Sequence, residues 1–226
     1  MSSVKENLLK VMERIEQAAL RARRDPKEIK LVAVSKTVDP ARIQEAIEAG
    51  ATILGENYIQ EAHQKVAAIG RPVAWHLIGH LQSNKARVAV QLFDMIHSLD
   101  SVHLAEELNR RAIQASRVIK VLIEVNLSGE STKFGADEEK LFTLAGRMKD
   151  LDHLSLEGLM TMPPFFDAPE ESRPYFVELR KWKERMEREG VVIRELSMGM
   201  SNDFEIAVEE GATYVRVGTA IFGART

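Results

Sequence analysis

The chain has 226 residues, a formal net charge of −3 and no cysteine. So small a charge leaves no sequence-wide electrostatic footprint for nucleic acid or an anionic membrane. The missing cysteines remove disulfides, thiolate metal sites and cysteine nucleophiles together, and suit a reducing cytoplasm.

The leading segment, 1–23, places Val4, Leu8, Val11 and Ile15 at helical spacing and predicts an amphipathic helix packed on the domain. Charges interrupt it every few residues, so it lacks the apolar stretch of a signal peptide. No run in the chain approaches the length that spans a bilayer. Beyond residue 23, short β-branched runs alternate with longer, charged amphipathic runs. Strands are expected at 29–36, 52–57, 74–79, 94–99, 119–126, 154–161, 193–198 and 213–218, with helices between them. Asp39-Pro40 reads as an N-cap followed by proline in the first turn. Ser101, Asp137 and Ser201 offer similar starts, and Gly50, Gly190 and Gly211 offer stops. PPFFDAP, 163–169, is a longer loop rather than a linker, so 1–226 is expected to form one domain.

Eight strands alternating with helices predict an α/β fold, a single (β/α)8 TIM barrel with an extra N-terminal helix. The competitor is an open doubly wound sheet, but no G-x-G-x-x-G follows the first strand. Two elements depart from the pattern: the third strand carries Trp75-His76, and the last helix, 219–223, is very short.

In such a barrel the active site stands at the C-terminal ends of the strands. Those ends hold Lys36, Glu56-Asn57, His76, His97-Ser98, Asn126, Thr161, the run SMGMSND (197–203), and Arg216 with Gly218-Thr219. SMGMSND and VGTAIFG each lead into a helix. Helix N-termini expose unpaired N–H groups and a partial positive charge, which suits a phosphate. The simpler reading makes these glycines tight turns and nothing more.

Lys36 closes an otherwise apolar strand, LVAVSK, and a buried ammonium is costly unless paired or neutralised. Taken alone, it reads better as a surface lysine snorkelling at a strand end. The two candidate phosphate loops reverse that preference. An amine across a barrel mouth from a phosphate cradle suits pyridoxal 5′-phosphate (PLP), with Lys36 forming the Schiff base. Arg216, between Val215 and Val217, should point into the barrel or its rim. Facing a pyridine nitrogen, it would keep that nitrogen unprotonated and weaken the ring as an electron sink. The other reading pairs Arg216 with Glu124, Glu157 or Glu195. His76 and His80 have metal-like spacing only on a helix, and no third ligand is obvious, so no metal is expected. Met160, Met162, Met198 and Met200 read as packing. KWKERMEREG, 181–190, reads as a solvated helix face.

With these residues in hand, the stretches LVAVSKT (31–37), GENYIQEA (55–62), WHLIGHLQSNK (75–85), GLMTM (158–162), LSMGMSNDFEIAVEEGAT (196–213) and VRVGTAIFG (215–223) resemble the pyridoxal phosphate homeostasis protein family. The resemblance runs over essentially the whole chain. It implies a barrel similar to the cofactor domain of bacterial alanine racemase, with PLP on Lys36. It also implies phosphate contacts at Ser201, Gly218 and Thr219, a pyridine contact at Arg216, and Asn57 nearby. The implied role is binding, buffering or delivering PLP, with effects on amino-acid and keto-acid balance and no established catalysis. PLP-dependent apoenzymes are the implied recipients, and a cytoplasmic monomer is expected. Alanine racemase places an opposite-face tyrosine on a second domain. Here the only tyrosines are Tyr58, Tyr175 and Tyr214, so one face of the cofactor is expected to lack a base. Two enzyme readings stand beside this one: an amino-acid racemase of low activity, and a phosphosugar barrel using Lys36.

Overall fold

A computed structural model describes residues 3–129 and 134–223. The first two residues of the leading segment and the last three of the expected domain lie outside the described residues. Eight parallel strands close into a barrel in the order β1 to β8. They are β1 (Lys30–Val34), β2 (Ile53–Glu56), β3 (Ala74–Leu77), β4 (Met95–Leu99), β5 (Ile119–Val125), β6 (Leu154–Thr161), β7 (Glu195–Ser197) and β8 (Tyr214–Val217). Pairing of β1 with β8, Val32 opposite Arg216 and Ala33 opposite Val217, closes the ring. The fold is therefore the (β/α)8 barrel, and the open sheet is ruled out.

The described helices are α1 (Val4–Arg21), α2 (Pro40–Glu48), α3 (Ile59–Ile69), α4 (Ala86–Leu92), α5 (Val102–Gln114), α6 (Glu138–Met148), α7 (Arg173–Arg188), α8 (Phe204–Glu209) and α9 (Thr219–Phe222). α1 begins with a capping box, in which Ser3 accepts from Glu6 N–H and Glu6 accepts from Ser3 N–H. Its buried stripe of Val4, Leu8, Val11, Ile15 and Ala18 packs against α2, α8 and α9. That placement explains why α9 can be only four residues long. The leading helix covers the seam between the last strand and the first, which an eighth full-length helix would otherwise cover.

Alternation within the strands separates two cores. Ala33, Leu54, Trp75, Leu77, Ile96, Val121, Ile123, Val215 and Val217 face the helices in one large cluster. Val32, Val34, Ile78, Met95, Leu122, Met160 and Tyr214 fill the barrel itself. Trp75 is thus core against helices while His76 points inward, which is why the third strand looks unlike its neighbours. Capping by Asp39, Ser101 and Asp137 is as expected. Ser201 is a correction: Asp203 is the N-cap of α8, because residues 201–203 form a turn first. Gly50, Gly190 and Gly211 follow α2, α7 and α8 with positive φ.

Candidate functional site

At the C-terminal end of the barrel lies a cavity of about 370 Å³. Lys36, Asn57, Ser201, Arg216, Gly218 and Thr219 all line it. Six residues spread over 184 positions of sequence therefore meet at one opening, brought there by the ends of β1, β2, β7 and β8. A second cavity of about 320 Å³ adjoins it through Val34, Lys36, Gly218 and Thr219 and extends toward Arg42.

The β7 and β8 loops interlock. Ser201 Oγ accepts from Gly218 N–H at 3.3 Å and from Ala220 N–H at 3.4 Å. Both bonds are long, so the hydroxyl and the first amides of α9 form a loose donor group beside the cavity. Close packing shapes the group. A Cβ on Gly218 would lie 3.3 Å from the Val34 carbonyl oxygen. Gly199 has φ +90°, and a Cβ there would lie 2.5 Å from Ala207 Cβ. Glycine is required at 199 on both counts. Asp203 fixes the same turn by accepting from Met200 N–H at 2.6 Å.

Arg216 is 3 % exposed and enters from the barrel interior. It donates to Ser197 Oγ at 2.6 Å and to the Thr161 carbonyl at 2.9 Å. Burial lowers its pKa to about 10, against the opposing pull of Glu124 and Asp203, so it stays charged at neutral pH. None of the three acidic partners considered from the sequence makes a hydrogen bond to it. Behind Ser197 the chain continues: His97 Nδ1 lies 2.9 Å from Ser197 Oγ, and His76 Nδ1 lies 3.0 Å from His97 Nε2. Arginine only donates. The proton arrangement that satisfies each member runs from Arg216 to Ser197, from Ser197 to His97 and from His97 to His76. Both histidines must then be neutral. Burial pushes His76 down to about 4 and holds His97 well below its ordinary range. Tyr214 meets both rings edge-on below, and Lys30 bonds Glu195 at the opposite end of the barrel. A polar column thus runs through the barrel to the guanidinium.

Several strand-end residues do not reach the cavity. His76 and His97 belong to the column, Ser98 donates to the Gly79 carbonyl at 2.7 Å, and Asn126 accepts from Ser128. Glu56 is fully buried and bonds Ser35 and Lys65. Among the described residues no group of His, Asp and Glu could hold a metal ion. Sequence reasoning missed Ile78 and the apolar wall that Pro164, Phe165 and Phe166 make beside the rim residue Met162. The two adjacent phenylalanines in a long loop were the available signal, and Phe165 stands 77 % exposed in the structure.

The set of groups lining the cavity fits a phosphorylated aromatic aldehyde. It offers an amine, a guanidinium, a hydroxyl with backbone amides, and an apolar wall. It also offers Asn57 Oδ1, a buried oxygen without a hydrogen-bond partner. Such an atom is costly unless a ligand or water meets it.

Comparison with known proteins agrees with this fold. Residues 7–226 match the alanine racemase N-terminal domain family. The pyridoxal phosphate homeostasis protein of Aquifex aeolicus is 45 % identical over 222 residues, 97 % of each chain. The Escherichia coli K12 protein of the same name is 40 % identical, covering 100 % of this chain and 98 % of its own. PipY of Synechococcus elongatus, solved with PLP bound, superposes with a TM-score of 0.83 at 40 % identity, covering 94 % of this chain and all of its own. Alanine racemase of Corynebacterium glutamicum has a TM-score of 0.76 at 18 % identity, covering 98 % of this chain and 62 % of its own, and shares the fold. The chain belongs to the pyridoxal phosphate homeostasis protein family.

Proposed function

We propose that this protein binds PLP at the barrel mouth and serves intracellular PLP homeostasis, holding or delivering the cofactor without robust catalysis of its own. The observation that carries the reading is the convergence of Lys36, Arg216 and the Ser201–Gly218–Thr219 donor group on one cavity. In this proposal Lys36 forms the covalent link to the cofactor aldehyde. Ser201, Gly218 and Thr219 hold its phosphate, Arg216 faces its pyridine nitrogen, and Asn57 stands beside the ring. PLP supplies an electrophilic aldehyde and a conjugated ring.

The charge on Arg216 supports the non-catalytic part. A fixed cation opposite the pyridine nitrogen disfavours protonation there, which limits carbanion stabilisation. The tyrosines support it further. Tyr214 lies under the histidine pair, Tyr58 is 63 % exposed, Tyr175 sits against Phe166, and none of the three lines the cavity. A racemase needs a proton donor on each face of its substrate. The bound-and-released cofactor would pass to PLP-dependent apoenzymes from a cytoplasmic monomer. No described helix is long and apolar enough to cross a membrane.

Spectroscopy tests the proposal. Purified protein incubated with PLP should turn yellow, and borohydride should fix one cofactor on Lys36. Lys36→Ala should lose the adduct at that position. An unmodified Lys36 in the wild-type protein contradicts the binding reading. Enzyme-like exchange of Cα hydrogen for solvent deuterium in an amino-acid panel, abolished by Lys36→Ala, contradicts the non-catalytic reading.

A further inference from the structure

The peptide units on either side of Lys36 are held from outside their own strand. On one side, the Ser35 carbonyl accepts from Lys65 Nζ as well as from Val38 N–H at 3.0 Å. On the other, Thr37 N–H donates to Glu61 Oε1. Glu61 and Lys65 stand one turn apart on α3 and bond each other at 2.7 Å, through the same Oε1 that accepts from Thr37. The pair is anchored beneath. Lys65, 5 % exposed, also reaches Glu56 Oε1 at 2.8 Å, and Ser35 Oγ donates to that oxygen at 2.6 Å.

Thr37 has φ +62°. That region is poorly tolerated by a β-branched residue, and such a conformation persists only where surrounding structure over-determines it. Here what over-determines it is visible: an acceptor on α3 takes the Thr37 amide, and a cation on α3 takes the Ser35 carbonyl. Glycine at position 37 would adopt that φ without steric strain. The buried cost is also considerable, because an ammonium and a carboxylate are withdrawn from water and Glu56 Oε2 has no partner. No packing requirement of α3 calls for charge at position 65, since the helix already buries Ile59 and Ala62.

We infer that Glu61 and Lys65 are positioning residues for Lys36: they clamp the backbone on both sides of it and so set the direction in which its amine enters the cavity. Neither residue lines the cavity. The inference rests on the reading of Lys36 as the cofactor lysine. It adds that α3, which contributes no residue to either cavity, governs the covalent step and not the non-covalent hold.

Two ligands separate those effects in the purified full-length chain. PLP reports covalent capture, read as the rate of the borohydride-trapped adduct on Lys36. Pyridoxine 5′-phosphate, which has no aldehyde, reports phosphate and ring binding, read by calorimetry. Glu61→Ala should slow capture by about tenfold, the scale of one charge-assisted hydrogen bond, while pyridoxine 5′-phosphate affinity stays within twofold of wild type. Glu61→Gln should restore most of the rate, because its amide oxygen can still accept from Thr37 N–H. Lys65→Met alone would strand buried Glu56, so the second variant is Lys65→Met with Glu56→Gln; it should slow capture similarly. Capture by Glu61→Ala at the wild-type rate overturns the inference. So does a parallel loss of pyridoxine 5′-phosphate binding, which would mark a general structural role. Wild-type protein that binds pyridoxine 5′-phosphate but captures no PLP on Lys36 overturns the reading of Lys36 itself and the inference with it.

Discussion

Ser197→Ala removes a single oxygen from the centre of the barrel and leaves two groups short. Arg216 loses its 2.6 Å acceptor and keeps only the Thr161 carbonyl at 2.9 Å. His97 Nδ1 loses its 2.9 Å partner, and the site is fully buried, so water does not readily replace it. Each unmet buried group costs about 1–3 kcal/mol, more when charged. The substitution should therefore destabilise the fold by about 3 kcal/mol. For a domain of this size that corresponds to a fall of roughly 6–12 °C in Tm. Ser98→Ala is the matched control. Ser98 is equally buried but makes one bond, to the Gly79 carbonyl, so its loss should cost only about 1 kcal/mol. Urea denaturation of the three proteins measures both values. A Ser197→Ala cost no larger than that of Ser98→Ala would refute the hydrogen-bonded column as the support of Arg216.

The column also predicts a pH dependence. Folded His76 titrates at about 4 against 6.5 when unfolded, so the unfolded chain binds the extra proton between those values. Stability should fall as pH drops through that window, by up to about 3 kcal/mol from His76 alone, and buried His97 adds in the same direction. Glu124 opposes this. Burial raises it to about 7 from 4.5, so the folded state holds the extra proton and gains stability as pH drops from 7 to 4.5. Glu124→Gln should consequently steepen the acid loss of stability, seen as a larger decrease in urea midpoint from pH 7 to pH 5. Gly199→Ala should abolish PLP binding or the fold, measured by calorimetry and circular dichroism, since its φ of +90° and the Ala207 methyl both exclude a side chain.

The barrel was legible because each strand carries its own local signal. β6 matches its expected span of 154–161, and the other strands differ only by frayed ends. The short α9 was legible too, but not its cause, since the packing of α1 on α8 and α9 joins opposite ends of the chain. Lys36, Ser201, Arg216 and Gly218 could be collected because barrel topology sends every strand end to one mouth. The supports of those residues could not. His97 and Ser197 are a hundred positions apart, and no periodicity relates them. Ser201 was read as a helix cap because a serine before a helix usually caps it. Its hydroxyl instead serves the next loop, at Gly218 and Ala220. Glu61 and Lys65 have the spacing of an ordinary surface pair, and only the burial of Lys65 separates them from one.

The most direct check is a crystal structure of the protein grown with PLP. Continuous density should run from Lys36 Nζ to a phosphate at Ser201, Gly218 and Thr219, with Arg216 facing the ring nitrogen. A phosphate in the adjoining cavity near Arg42, or density with no connection to Lys36, would contradict the proposed site.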